Sequence, residues 1–294
     1  MQDNLRGVIA AIITPVSKDG TPDTARLIER ARFLLENGCN GLNLLGTTGE
    51  ATSFTAGQRR AVMEAIASSG LPMDRFMVGT GAAAVRDAEA LSCAAAELGF
   101  AGALVLPPFY YKPVPDDGIA RYLDAIVTAT AETQLPIYLY NFPALSGIAY
   151  TPELVSELVA RFGSRIAGLK DSSGDLAYAG QIAAISPALK VFPSNEATLV
   201  RARAGEFAGC ISATANLNSV LCGKAYNEGD EAALAQAVAI RQVFDGLPLV
   251  PGIKLLCAEI ANDPELANTV PPLCQLTSTQ REELLKRYRS AANG

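Results

Sequence analysis

Short, nearly unbroken apolar runs alternate with longer stretches in which apolar residues recur every three or four positions. The alternation persists from one end of the chain to about residue 225. The short runs fall at 8–13, 41–45, 75–79, 102–106, 136–140, 166–170, 190–192 and 209–212. Continuous apolar character, rather than strict alternation, is the mark of a strand covered on both faces. The longer stretches, at 24–36, 56–68, 84–97, 117–131, 152–161, 176–185, 196–204 and 217–227, predict amphipathic helices. Several have a ready N-terminus. Thr151 can accept from free backbone amides, and Pro152 fits the first helical position.

Eight strand–helix units in series predict a parallel sheet with crossover helices. The count of eight favours closure into an α/β (β/α)8 TIM barrel over an open doubly wound sheet. Residues 1–225 are therefore expected to form the barrel and carry the site. Residues 226–294 show further helical patterns at 230–244, 251–260 and 277–291, with no Gly- or Ser-rich linker before them. They are expected to form a C-terminal helical extension packed on the barrel.

The length, 294 residues, suits one such barrel. A net charge of −6 with scattered basic residues speaks against a nucleic-acid or anionic-membrane surface. No apolar run reaches the length of a membrane span. The opening segment has Asp3 before its first Arg, unlike a secretory signal, so a cytoplasmic location is expected. The six cysteines show no CxxC or finger-like spacing and read as free thiols. The chain has no histidine. That removes Ser-His-Asp and Cys-His nucleophile systems, His-based metal sites and an imidazole base. The chemistry is left to Lys, Tyr, Ser, Thr, Cys and carboxylates.

In barrels of this kind the chemistry gathers where strands end and βα loops begin. Those ends read Gly46-Thr47-Thr48-Gly49-Glu50, Pro107-Pro108-Phe109-Tyr110-Tyr111, Tyr140-Asn141-Phe142-Pro143, Lys170-Asp171-Ser172-Ser173-Gly174, Ser194-Asn195-Glu196 and Ser212-Ala213-Thr214. Of seven lysines, only Lys170 closes an apolar strand, IAGLK; Lys254, in GIKLLC, can reach inward from the C-terminal helices. Burial at the barrel mouth disfavours the charged ammonium, and a neutral amine there can attack a ketone to form a carbinolamine and then an imine. The same position also suits a lysine that snorkels to water or pairs with Asp171 or Glu196. Tyr140 ends the preceding strand, where a phenol can move protons in the absence of histidine, or simply bond through its OH as a core tyrosine. The glycine-containing turn at 46–50 offers hydroxyls and backbone amides to a carboxylate. Glu50 reads as a loop anchor rather than a base.

GTTGE at 46–50, YNFP at 140–143 and GLKDSSGD at 168–175, with the opening GVIAAIITPVSKDG, resemble the signature segments of the dihydrodipicolinate synthase and N-acetylneuraminate lyase superfamily. The resemblance runs in order over essentially the whole chain. It implies a lyase that binds pyruvate or a related 2-keto acid as an imine on Lys170, with no cofactor beyond that covalent bond and no metal. It further implies that Tyr140 transfers protons and that Thr47 links Tyr140 to a second tyrosine, Tyr110. Thr48, with Gly46 in the same turn, would seat the pyruvate carboxylate, and the carbonyl of Ile211 would border the imine. In that superfamily the second tyrosine comes from a neighbouring subunit, so a homo-oligomer, dimer or tetramer, is implied.

Two departures bear on the substrate. Leu145 stands where dihydrodipicolinate synthases carry an arginine that grips the second substrate's carboxylate, and leucine has no donors. Ser194-Asn195-Glu196-Ala197 departs from the polyol-binding pattern of sialate lyases. The leading expectation is therefore an aldolase or lyase acting on a 2-keto-3-deoxy acid. Condensation of pyruvate with aspartate semialdehyde ranks second, and a binding-only barrel third.

Overall fold

Side-chain alternation sorts the strands of this computed structural model into an inner and an outer layer. The structure describes residues 5–293; Asp3 of the opening segment lies outside the described residues. Along β5 (Ile137–Asn141), Ile137 and Leu139 join the core beneath the helices, whereas Tyr138 and Tyr140 join the barrel interior. The same split separates Val8 and Ala10 from Ile9 and Ala11 on β1 (Gly7–Ala11). The remaining strands are β2 (Gly41–Leu44), β3 (Phe76–Gly79), β4 (Gly102–Val105), β6 (Ile166–Asp171), β7 (Lys190–Pro193) and β8 (Gly209–Ser212). They pair in parallel in the order β7-β6-β5-β4-β3-β2-β1-β8. A backbone hydrogen bond from Ala208 N to Val191 O, 3.0 Å, brings the two ends of that order together and nearly closes the cylinder. The expected (β/α)8 barrel is the observed one.

The interior is packed solid below the site. Tyr138 is fully buried, its ring tilted 6.1 Å from that of Phe192. A Cβ on either Gly102 or Gly168 would lie 2.7 Å from the Tyr138 ring, so glycine on both adjoining strands makes room for it. A floor of close-packed side chains leaves the polar chemistry to the rim.

The helices are α1 (Thr24–Glu36), α2 (Ala56–Ala67), α3 (Val85–Glu97), α4 (Asp116–Ala129), α5 (Pro143–Ser146), α6 (Pro152–Phe162), α7 (Leu176–Ile185), α8 (Leu199–Arg203) and α9 (Ala215–Asn227). The Thr151 side chain caps α6 as the sequence suggests, accepting from Leu154 N. Two departures from the expected helices lie at the site. The predicted helix at 196–204 divides into a 3-10 turn, Glu196–Thr198, and the short α8. Glu196 and Thr198 are both buried there, with Asn195 capping the turn at Ala197 N. Second, the loop after β5 holds α5, a single turn stopped by Gly147 at φ 67°.

The extension comprises α10 (Glu231–Gln242), α11 (Leu249–Ala261) and α12 (Ser278–Ala292). Val243, Phe244, Ile253, Leu256 and Leu284 form a separate apolar cluster that includes Ile13, just beyond β1. Residue 225 falls within α9, which packs on both β1 and α10. The extension thus continues the barrel's packing without a break. No helix among the described residues is long and apolar enough to cross a membrane.

Candidate active site

β5 and β6 run side by side with Tyr140 opposite Lys170 and Asn141 opposite Asp171. This register puts Tyr140 and Lys170 on the interior face together. Lys170 is 4% exposed, and its Nζ lies 4.1 Å from the centroid of the Tyr140 ring. The ring face is an electrostatic partner for a cation that accepts no proton. The two carboxylates weighed as partners for Lys170 are engaged elsewhere. Asp171 accepts from Asn141 Nδ2 at 2.8 Å and from Ser173 N and Oγ at 3.1 and 2.9 Å. Glu196 accepts from Ser212 Oγ at 2.6 Å, from Thr214 Oγ1, and from Arg241 Nη1 at 3.1 Å.

The Tyr140 phenol is bound in turn to Thr47 Oγ1 at 3.1 Å. Thr47 sits in a turn fastened from several sides. Glu50 N donates to Thr47 O, Ala51 N to Gly46 O, and Thr14 Oγ1 to Gly49 O, at 3.1, 3.2 and 2.8 Å. Glu50 has left-handed backbone, φ 55°, and its carboxylate is paired with Lys254 and accepts from Val270 N at 2.8 Å. The expected role of Glu50 as an anchor, not a base, matches this geometry. Lys254 does reach inward. It ends on Glu50 and on Asn268 O, 2.7 Å away, and burial lowers its pKa while Glu50 opposes that shift.

The Thr47–Tyr140 bridge divides the rim into two cavities. One, of about 200 Å³, is lined by Lys170, Thr47, Thr48, Tyr140, Ser194 and Ile211, all singled out in the sequence. The other, of about 270 Å³, lies beyond the bridge and takes in Gly46, Leu145, Phe109 and Arg59. Gly46 and Leu145 are thus brought to Tyr140 but not to the Lys170 side. Arg59 is buried and donates to the carbonyls of Gly79 and Gly81 at 2.7 and 3.1 Å; burial pushes its pKa down to about 10. Tyr110 lines neither cavity. It is 77% exposed, edge-on to Tyr111, so this chain alone does not carry it to Tyr140.

Ser172 and Asn195, named in the sequence only as part of the rim segments, also line the first cavity, and so does Arg241, which the sequence did not single out. Arg241 is the least expected, since it comes from the extension. Its one sequence signal is a basic residue inside the apolar stretch AVAIRQVF.

A buried lysine and tyrosine in register at the C-terminal rim of a (β/α)8 barrel, bridged to a threonine turn, define a class of barrel lyases, the class I aldolases. The sequence profile of the Dihydrodipicolinate synthetase family matches residues 4–286, and the chain belongs to this family, whose members are lyases. It is 34% identical to an uncharacterized DapA-like lyase of Chloroflexus aurantiacus over 274 residues, 91% of each chain. Among solved structures it resembles dihydrodipicolinate synthase from Agrobacterium tumefaciens, with TM-score 0.90 and 27% identity over 97% of this chain and 99% of that one. It also resembles YagE, a prophage protein of the dihydrodipicolinic acid synthase family from E. coli K12, in complex with pyruvate. That similarity has TM-score 0.88 and 26% identity over 98% and 99% of the two chains.

Proposed function

We propose that the protein is a pyruvate-linked class I lyase in which Lys170 forms an imine with the C2 ketone of a 2-keto acid. The observation that carries this reading is the position of Lys170 Nζ. It is buried, lies 4.1 Å from the Tyr140 ring centre, and has no carboxylate bound to it among the described residues. A neutral amine attacks the ketone carbon, and the resulting carbinolamine loses water to give the imine. Loss of a C3 proton yields an enamine, whose carbon adds to an aldehyde carbonyl while that oxygen takes up a proton. Water then releases the product and restores the amine. Cleavage runs the same steps backwards.

Tyr140, with Thr47 at 3.1 Å, is the group placed to move these protons. Thr48, 5% exposed on the Lys170 side of the turn, seats the substrate carboxylate, and Ile211 and Ser194 border the imine and the chain beyond it. The substrate class is a 2-keto-3-deoxy acid. The protein acts in the cytoplasm as a homo-oligomer, in which exposed Tyr110 of one copy completes the Thr47–Tyr140 relay of another.

Pyruvate followed by borohydride tests the reading. Intact mass is expected to rise by one reduced pyruvate, with the label on Lys170. No adduct, or a label that persists in Lys170→Ala, overturns it. A second reading, condensation of pyruvate with aspartate semialdehyde, is favoured by the similarity to the Agrobacterium enzyme. Leu145, 61% exposed and without donors, weighs against it, and aspartate semialdehyde is expected to be a poor acceptor.

A further inference from the structure

Beyond Lys170, the first cavity carries a second cation. Arg241, from the end of α10, lines the same cleft and keeps 35% of its side chain exposed. Both of its hydrogen bonds use Nη1, to Glu196 Oε2 at 3.1 Å and Ser212 Oγ at 3.4 Å. Glu196 is itself 1% exposed and tied to the hydroxyls of Ser212 and Thr214. The acid therefore works as a fixed support that orients the guanidinium, while the Nε–Nη2 edge has no hydrogen-bond partner among the described residues. That edge offers two parallel donors, the geometry that suits a carboxylate or phosphate.

The remaining lining fits the same ligand. Asp171, the lining carboxylate, is buried and fully engaged by Asn141 and Ser173, so it presents no exposed acid to an incoming anion. Ser172 and Ser194 share a hydroxyl–hydroxyl bond of 2.8 Å on the cleft wall. This pair can exchange bonds with substrate hydroxyls. Across the Thr47–Tyr140 bridge, Leu145 offers no donor, and the arginine that lines that cavity, Arg59, spends Nη1 and Nη2 on the carbonyls of Gly81 and Gly79.

We infer that Arg241 is a specificity residue for a terminal anionic group, carboxylate or phosphate, at the end of the substrate remote from the keto carbon. The inference rests on the imine reading above and narrows its substrate class to hydroxylated 2-keto acids with a charged far end. The aldehyde released or consumed then carries that charge. Arg241 touches neither the imine nor the migrating protons.

The test compares kcat/KM for aldol addition of pyruvate to matched acceptors. Succinic semialdehyde is set against butyraldehyde, and glyceraldehyde 3-phosphate against glyceraldehyde. The intact enzyme is expected to prefer at least one anionic acceptor over its neutral match by roughly 10- to 100-fold, the range of one hydrogen bond between charged groups. Which pair shows the preference separates carboxylate from phosphate. Arg241→Gln is expected to erase the ratio, mainly through KM, and Arg241→Lys to restore part of it. Because the Gln variant leaves Glu196 buried without its cation, Arg241→Gln/Glu196→Gln serves as a second variant. A purely structural Arg241 would lower both members of a pair alike. Equal kcat/KM within both pairs in the intact enzyme, no turnover of any anionic acceptor, or a preference that survives Arg241→Gln overturns the inference. Borohydride trapping of pyruvate on the intact enzyme separates the two levels. An adduct without anion preference removes only the role of Arg241, whereas no adduct removes the imine reading and this inference with it.

Discussion

Lys170 and Lys254 are both buried lysines, 4% and 0% exposed, yet their surroundings differ in kind. Lys254 lies between the Glu50 carboxylate and the Asn268 carbonyl, so its charge has a counterion and its amine two acceptors. Lys170 has an aromatic face and a cleft instead. An amine bound to a buried carboxylate is turned away from any carbonyl carbon, whereas one that faces a cleft is open to it. Burial alone therefore does not decide what a buried lysine can meet; whether an acid is buried with it does. The two are also connected, because Lys254 holds Glu50, Glu50 closes the turn that carries Thr47, and Thr47 binds the phenol beside Lys170.

That contrast can be broken most severely at Lys170. Lys170→Ala is expected to abolish both turnover and borohydride-trapped adduct while thermal unfolding stays close to that of the parent. Trapping at Lys254 instead would reverse the assignment of the two amines. Tyr140→Phe removes the phenol and leaves the ring over Nζ. Turnover is expected to fall ~10²–10⁴-fold, measured as kcat with saturating pyruvate, and a near-normal kcat would take the phenol out of proton transfer.

Lys254→Met strikes the structural side by leaving Glu50 buried without its cation. The expected loss is about 3–5 kcal/mol of unfolding free energy, read from denaturant titration. Adding Glu50→Gln should recover part of that loss, and a single variant as stable as the parent would show that the pair does not hold the turn. The smallest change is Thr47→Val, which removes one hydroxyl from Tyr140. It is expected to cost about 0.5–1.5 kcal/mol, a few-fold in kcat, without altering the adduct yield.

Much of this architecture was legible in the sequence. The eight apolar runs fall on the eight strands, and the polar strand ends mark the rim where Lys170, Tyr140, Thr47, Thr48, Ser194 and Ile211 gather. These features depend on local pattern and on strand order, which a linear reading can follow. The helix expected at 196–204 was less legible, because Glu196 is drawn inward by Ser212, Thr214 and Arg241, residues distant in sequence. The single turn of α5, four residues long, is too short for a periodic pattern to announce it. Arg241 and the destination of Lys254 were hidden for the same reason. Both side chains leave the extension to meet barrel residues, and no periodicity records which loop a helix will cover.

By itself, then, the sequence determined the layered barrel, the strand that carries the amine, and the exclusion of histidine chemistry, because these follow from residue type and local repetition. Only the tertiary structure decided which buried lysine is paired, that Thr47 and Tyr140 stand between two cavities, and that an arginine of the extension enters the cleft. Those outcomes depend on distances between residues far apart in the chain, set when the helices pack against the barrel rim. Electrostatic partnership is a property of that packing, and so is the contrast in surroundings between the two amines.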